Sequence, residues 1–165
     1  MYYRMLMTLL CVVSVWSVSA QKAPVPNNYE IKTAADCARY NDDVLRCAEW
    51  LRTTPYDRAR AGEWQRAGAF LMAWSMGTAD VMFELSEEAA PFLTSNLETE
   101  VSTLLLSVYL AGGAEYALKG GDGKNTAAVA RAGGDAVIAV YQAGRGTLGK
   151  IREIETMIKQ RKKDK

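Results

Sequence analysis

The sequence EVSTLLLSVYLAGGAEYALK, from Glu100 to Lys119, decides the fold of this chain. Its apolar residues fall on nearly every face of an α-helix, so we expect other elements to pack on several sides of it. No residue between Glu100 and Glu115 is charged, but that interval is shorter than the roughly 20 apolar residues that cross a bilayer. We therefore predict a core helix, in which the pair Gly112 and Gly113 lets a neighbouring backbone approach closely.

Helical patterns also precede this stretch. Thr33 and Asp36 have the spacing of a capping box, which predicts a first helix there, and a second apolar stripe follows from Val44 to Leu51. A third helix is predicted from about 57 to 76, with Gly77 placed to end it in the left-handed conformation. Ser86 is placed to cap a short helix, and Asn96 the long one.

After the long helix, the glycine-rich segment 120–125 predicts a turn, and Asn125 is placed to cap the next helix. A last apolar stripe carries Ile151, Ile154 and Ile158 at intervals of three and four. Every predicted element is helical and the connections are short, which favours antiparallel neighbours. The sequence thus predicts an all-α fold of five to six antiparallel helices, arranged as a bundle or as a short repeat-like right-handed helical array.

The N-terminal segment 1–20 has the pattern of a signal peptide. Arg4 precedes an apolar run from Leu6 to Trp16, and the small residues Val18 and Ala20 stand where signal peptidase requires them. We predict cleavage after Ala20 and export to the periplasm or the medium, with no stable membrane span after cleavage. Residues 21–32, rich in Pro and Asn, predict an extended, mobile leader, and 33–162 a single helical domain.

The net charge excludes one class of partner. Removing residues 1–20 takes away one basic and no acidic residue, which leaves 19 of each. Proteins that bind nucleic acid usually carry a clustered basic excess, so we expect no nucleic acid partner. The basic tail 159–165 is typical of a solvated helix C-terminus, where cations interact favourably with the helix dipole.

Cys37 and Cys47 remain in the exported chain, in a compartment that permits disulfides. On one straight helix they would lie about 15 Å apart, too far to bridge. A break between two short helices near Asn41 and Asp42 would fold the pair together. The sequence leaves two alternatives open, namely a disulfide between Cys37 and Cys47 or two buried free thiols.

The segment from Gly144 to Lys150, GRGTLGK, matches the G-x-G-x-x-G pattern of dinucleotide sites and nearly matches a P-loop. Ile151 stands where a P-loop has the Ser or Thr that reaches magnesium. A dinucleotide site also needs a βαβ unit and a later acidic residue, for which too little chain remains. We interpret the glycines as a turn between two helices, and we expect no cofactor.

The chain contains no histidine, which removes the commonest general base and the commonest metal ligand. Adjacent carboxylates occur at 42/43, 87/88 and 98/100, all near predicted helix starts, where acidic residues favour the helix dipole. No nucleophile, base and metal set converges. We therefore predict no catalytic residues and no metal site, and a hydrolase that uses dispersed carboxylates remains the weakest alternative.

Aromatic residues are the best material for a binding surface. The tryptophans lie beside apolar stripes, which favours the core. Tyr109 and Tyr116 are seven residues apart and share one helix face, where they can line a groove.

The pattern Tyr109-x-x-Gly112-Gly113-x-x-Tyr116 resembles the first helix of a tetratricopeptide repeat, over one hairpin from Glu100 to about Gln142. Gly112 departs from it, because leucine is usual there. No second copy is visible, although such repeats usually need three or more units. This resemblance implies a repeat-like helical array.

A broader resemblance spans roughly residues 45–158. The runs AEWLRTTP (48–55), Trp74-x-x-Gly77-Thr78-Ala79-Asp80 and Tyr109-Leu110-Ala111 are similar to a family of small secreted helical proteins of unknown function from Gram-negative bacteria. In that family Pro usually stands at the position of Ala79. The resemblance implies a helical fold, a signal peptide and a special role for the corner from Trp74 to Asp80, either structural or functional.

These observations predict a non-enzymatic envelope protein that binds a protein or peptide. The residues that we expect at the binding site are Trp74, Thr78, Asp80, Tyr109 and Tyr116. The alternative is a carrier that holds a small apolar molecule between its helices, with adaptable lining from Met72, Met76, Met82 and Phe83.

Overall fold

The computed structural model describes residues 22–164, and the predicted signal peptide at 1–20 lies outside them. Helices are the main regular structure of the described residues, which form no strands, and this confirms the predicted all-α fold. Its six helices are α1 (Ala34–Arg39), α2 (Asn41–Thr53), α3 (Ala61–Gly77), α4 (Thr99–Leu118), α5 (Thr126–Leu148) and α6 (Arg152–Lys163). Two short 3₁₀ turns, Arg58–Arg60 and Pro91–Thr94, precede α3 and α4.

Helix α4 is the centre of the fold. By length and composition alone it could cross a membrane, but 56% of its apolar window is buried inside the protein. Helices α2, α3 and α5 all pack against it. From Leu104 to Ala114 every residue except Leu106 is buried, so apolar side chains are covered on several faces. The structure thus contains the core helix that the sequence predicts.

Helices α4 and α5 approach closely because glycines stand where they cross. A Cβ atom on Gly112 would lie 2.5 Å from the Cβ of Ala136 and 2.8 Å from the carbonyl oxygen of Ala132. A Cβ atom on Gly133 would lie 2.7 Å from the carbonyl oxygen of Tyr109. Such distances leave no room for a side chain. The predicted close approach is therefore present, and α5 is the element that makes it.

The capping residues that flank α1 and α5 act as predicted. The hydroxyl of Thr33 accepts a hydrogen bond from the Asp36 N–H, and the Asp36 carboxylate accepts one from the Thr33 N–H. The Asn125 side chain accepts one from the N–H of Ala128 at 3.1 Å. Since the first N–H groups of a helix have no intrahelical acceptor, these side chains stabilise both starts.

Two predicted starts are wrong. Helix α4 begins at Thr99, and no side chain caps it, so Asn96 is not its cap. Ser86 does accept a hydrogen bond from the N–H of Ala89 at 3.2 Å. Only a turn follows, however, before the 3₁₀ turn that begins at Pro91. Proline lacks an N–H, so it fits the start of that 3₁₀ turn but cannot continue a helix from Ser86.

The predicted turn at Gly144 and Gly146 is also wrong, because α5 continues through both glycines to Leu148. It ends at Gly149, whose φ of 72° is the left-handed conformation that glycine adopts easily. A hydrogen-bonded network holds this last stretch of α5 against α6. The Tyr141 hydroxyl donates to Glu155 at 2.7 Å and accepts from the N–H of Ile151 at 3.1 Å, and Arg145 pairs with Glu155 at 2.8 Å. These contacts offset the low helix propensity of the two glycines.

The segment before α1 is packed on the domain. Ala23 is buried, and its N–H donates to the Glu63 carboxylate at 2.8 Å. The ring of Tyr29 meets the edge of Phe70 at a centroid distance of 5.0 Å. The leader therefore covers part of α3, which corrects the expectation that it is mobile.

Candidate functional site

The five predicted binding residues divide into two groups. Trp74 and Tyr109 are buried in the core, and each makes a hydrogen bond that fixes its ring. The indole N–H of Trp74 donates to the carbonyl of Cys37 at 3.0 Å, and the Tyr109 hydroxyl donates to the carbonyl of Glu84 at 2.7 Å. This corrects the expectation that Tyr109 and Tyr116 line one groove, because Tyr109 does not reach the surface.

The corner that follows α3 places Thr78 and Asp80 at the surface. Thr78 is half-buried, and its hydroxyl accepts a hydrogen bond from the N–H of Asp80 at 3.2 Å. The carboxylate of Asp80 is exposed, so threonine rather than aspartate stabilises this turn. Gly77 is the last residue of α3. The prediction that it has the left-handed conformation is wrong, because its φ is not positive. It is instead tightly packed. A Cβ atom there would lie 2.7 Å from Ile31 and 2.9 Å from the sulfur of Cys37.

The turn between α4 and α5 brings Tyr116 to this corner. The ring of Tyr116 packs over Gly121, where a Cβ atom would lie 2.5 Å from the ring. The carbonyl of Gly123 accepts a hydrogen bond from the N–H of Met82 at 2.8 Å, and a Cβ atom on Gly123 would lie 2.3 Å from the carbonyl oxygen of Asp80. The structure thus places Thr78, Asp80 and Tyr116 at the same end of α4.

Large apolar side chains are exposed in the segment from Met76 to Leu85, which comprises the end of α3 and the connector after it. Met76 is 82% exposed, Met82 51% and Leu85 52%, and these are the exposed large hydrophobic residues among those that the structure describes. All three lie within ten consecutive residues. Ala79, Asp80 and Glu84 are exposed on the same segment. We call Met76, Asp80, Met82 and Leu85 the connector surface.

Tyr116 also lines an open groove of about 650 Å³ between the C-terminal half of α4 and α5, which we call the tyrosine groove. Small residues form part of its lining, namely Gly112, Ala132, Ala136 and Ala139. Charged residues of both signs complete it, namely Arg52, Glu115, Lys119 and Asp135. A partner that lies here would meet a surface of small side chains with polar groups close by.

Cys37 and Cys47 are free thiols in the structure. Of the two alternatives that the sequence left open, the structure therefore has the buried free thiols and not the disulfide. Cys37 and Cys47 are buried, and each thiol lies near a backbone carbonyl, Cys37 at 3.7 Å from that of Trp74 and Cys47 at 3.6 Å from that of Pro24. Burial raises the pKa of the Cys47 thiol to about 12, and burial together with the charge of Asp36 raises the pKa of Cys37. Both groups are therefore protonated at neutral pH and shielded from oxidants.

This arrangement predicts that neither thiol reacts in the folded protein. A thiolate is the nucleophile toward Ellman's reagent, and here the thiolate is disfavoured and the sulfur covered. We expect almost no colour from a protein that begins at Gln21 and so lacks Cys11, and a signal for two thiols after it is unfolded in guanidinium. A signal that stays absent after unfolding, and appears only on reduction, would show a disulfide and contradict this arrangement.

Carboxylates gather at one cleft of about 460 Å³, where Glu87 and Glu88 face the start of α6. Glu153 lines the same cleft and pairs with Arg152 at 3.2 Å. Its own backbone N–H and the Arg152 guanidinium hold the pKa of Glu153 below its usual range. A carboxyl group that donates a proton in glycoside hydrolysis needs a raised pKa, so Glu153 does not suit that role.

The residues proposed to line a carrier cavity differ in their exposure to solvent. Met76 and Met82 are exposed, whereas Met72 and Phe83 are partly buried against the core. They do not converge on one enclosed space. Among residues 22–164 there is likewise no group of three His, Cys, Asp or Glu side chains that could hold a metal ion.

Sequence reasoning did not single out Leu85, and it named Met76 and Met82 only as cavity lining. Nothing in the spacing of these residues distinguishes an exposed connector from one that is buried. Their one sequence signal is that they lie at the end of an apolar helical stripe or just after it. In comparisons with known protein families, with characterised proteins and with solved structures, the chain has no significant match.

Proposed function

We propose that this protein is a non-enzymatic binding module of the Gram-negative cell envelope, which holds a protein or peptide against its connector surface. The observation that carries the proposal is the exposure of Met76, Met82 and Leu85 within ten consecutive residues. Single exposed apolar residues are ordinary, but several on one segment are typical of an interaction site.

The chemistry of these side chains suits a protein partner. Methionine is unbranched and polarizable, so it adapts to irregular apolar surfaces. The exposed Asp80 carboxylate lies between the two methionines in sequence and supplies a polar group of the kind found at the rim of protein interfaces. The partner would therefore carry apolar side chains surrounded by polar or basic ones.

The position of the surface supports the same function. The N–H of Met82 is held by the carbonyl of Gly123, and the hydroxyl of Tyr109 holds the carbonyl of Glu84. The backbone of the connector is thus fixed while its apolar side chains face solvent. A fixed surface loses less conformational entropy on binding than a mobile one.

The compartment belongs to the same proposal. A signal peptide at 1–20 would deliver the chain to the envelope, where the partner would be another envelope protein or a peptide.

Site-specific photocrosslinking tests this function. A benzoylphenylalanine in place of Met82 should give one discrete higher-mass adduct when the protein is illuminated in its own Gram-negative cells, because the partner lies against that side chain. The matched control is the same amino acid in place of Ala143, which is exposed on α5, about 25 Å along that helix from the turn that holds Met82. It should give no adduct.

Two outcomes would contradict the proposal. Adducts at Ala143 and none at Met82 would place the partner on another face, and equal labelling at both positions would indicate nonspecific contact. A further variant sharpens the test, because Met76→Glu in the Met82 probe chain should reduce the adduct by placing a charge in the apolar contact.

A further inference from the structure

A second cleft, of about 340 Å³, lies at the other end of α4 from the connector surface. It is formed between the first turns of α3 and those of α4, and it is partly enclosed. The lining residues that bear on its chemistry are Tyr56, Trp64, Gln65, Glu100, Thr103 and Ser107. Its volume is at the lower end of the range for small-ligand pockets.

Two fixed aromatic rings line this cleft. Tyr56 and Trp64 are both buried and meet edge to face, with ring centroids 5.7 Å apart. Trp50 packs behind Trp64 at a centroid distance of 5.5 Å. The buried indole N–H of Trp64 has no hydrogen-bond acceptor in the part of the chain that the structure describes.

One charge faces the aromatic pair. Among the residues that the structure describes, Glu100 is the only charged one that lines the cleft. It is exposed, and one of its oxygens accepts a hydrogen bond from the Tyr56 hydroxyl. Burial, and then this bond to a carboxylate, raise the pKa of Tyr56 to about 12, so the hydroxyl stays a donor at neutral pH. The bond holds the Glu100 carboxylate in place at the cleft.

No cation of the protein neutralises Glu100 within residues 22–164. The nearby Arg58 pairs instead with Glu98. Its guanidinium nitrogen lies 3.8 Å from the Glu98 carboxylate, and both side chains are exposed to solvent. The start of α4 contributes a partial positive charge through the helix dipole, but this is smaller than the full charge of a carboxylate. The cleft therefore has a net negative lining beside two aromatic rings.

We propose that this cleft binds a small organic cation, an ammonium or guanidinium group on a short apolar stem, paired with Glu100 and packed against Tyr56 and Trp64. Aromatic rings attract such cations through the negative charge of their faces, and the attraction grows when water is excluded. A carboxylate adds a charge-assisted hydrogen bond. A divalent metal fits less well, because it requires several oxygen ligands and the lining offers one carboxylate.

This site is separate from the proposed partner surface. Glu100 and Tyr116 are about 24 Å apart along α4. Loss of one function would leave the other intact, so the two proposals fail independently.

Titration of the purified protein with choline and agmatine tests the cation site, with tryptophan fluorescence and calorimetry as readouts. Both cations should bind saturably. The neutral isostere of choline, 3,3-dimethylbutan-1-ol, should bind at least about tenfold more weakly, since it lacks the charge. Equal binding of choline and the alcohol, or no binding of either cation, would overturn the proposal.

A matched pair of variants localises the effect. Glu100→Gln keeps an acceptor for the Tyr56 hydroxyl but removes the charge, and it should weaken choline binding by about tenfold with an unchanged melting temperature. Glu98→Gln, two residues away and outside the lining, should leave the affinity unchanged. Equal affinity of Glu100→Gln and the unsubstituted protein would overturn the assignment.

A third arm distinguishes the source of the cation. A short peptide with one internal arginine is compared with agmatine, which carries the same guanidinium group on a free stem. Tighter binding of agmatine would identify a free small molecule, and tighter binding of the peptide, lost in Glu100→Gln, would identify a side chain of a polypeptide. Both results support the cation site.

Discussion

Replacing Gly133 with leucine should lower the free energy of unfolding by about 3 kcal/mol, the upper end of the usual effect of overpacking. Any Cβ atom at this position would lie 2.7 Å from the carbonyl oxygen of Tyr109 and 2.8 Å from a carbon of its ring. Because the nearest atom belongs to the backbone of α4, no rotamer change relieves the clash. Urea denaturation followed by circular dichroism measures the loss.

The same substitution at Gly146 is the matched control. Gly146 lies in α5 as well, it is exposed, and a Cβ atom there would have no neighbour within 4 Å. Leucine has a higher helix propensity than glycine, so Gly146→Leu should leave stability unchanged or raise it by up to about 1 kcal/mol. Similar losses at both positions would mean that the close approach of α4 and α5 is not what holds the domain together.

Replacing Trp74 with alanine should cost about 3–5 kcal/mol, because it empties a large volume of the core. The side chain is 1% exposed, and its loss also removes one of the two hydrogen bonds that the carbonyl of Cys37 accepts, the other coming from the N–H of Tyr40. Met76, two residues later, is 82% exposed, so Met76→Ala should change stability by less than about 0.5 kcal/mol. Thermal unfolding of the two variants measures the contrast.

This pair also separates the two roles of the corner after α3. Trp74 is predicted to hold the fold and Met76 to contact the partner. If Met76→Ala destabilised the domain as much as Trp74→Ala, the connector surface would be part of the core and the binding proposal would lose its basis.

The central helix could be predicted because its signal is local. Its apolar residues, the cap at Asn125 and the capping box at Thr33 each depend on a few neighbouring positions. The close approach at Gly112 could also be predicted, since glycine in a helix interior lowers stability unless packing requires it. Which helix packs against Gly112 depends on the tertiary structure, so α5 could not be identified from a local sequence pattern.

Glycines caused the main errors in the predicted helix ends. Gly144 and Gly146 resemble breaks, but the network of Tyr141, Arg145 and Glu155 holds α5 together past them. Gly77 resembles a left-handed cap, but it is there because Ile31 and Cys37 pack against it. In each case the deciding contact comes from a residue that is distant in sequence or on another element.

The binding site was predicted only in part for the same reason. Tyr109 and Tyr116 share a helix face in the sequence pattern, yet Tyr109 is buried, with its hydroxyl bound to the carbonyl of Glu84, and Tyr116 is half-buried. The exposure of Met82 follows from a backbone hydrogen bond to Gly123, about 40 residues later along the chain. The path of a connector over a helix cannot be predicted from the periodicity of either.

Photocrosslinking from the position of Met82, compared with that of Ala143, is the most direct test of the central claim that the connector surface holds a partner. We predict one discrete adduct from Met82, reduced by Met76→Glu, and none from Ala143. An adduct from Ala143 alone, or equal labelling from both positions, would contradict it.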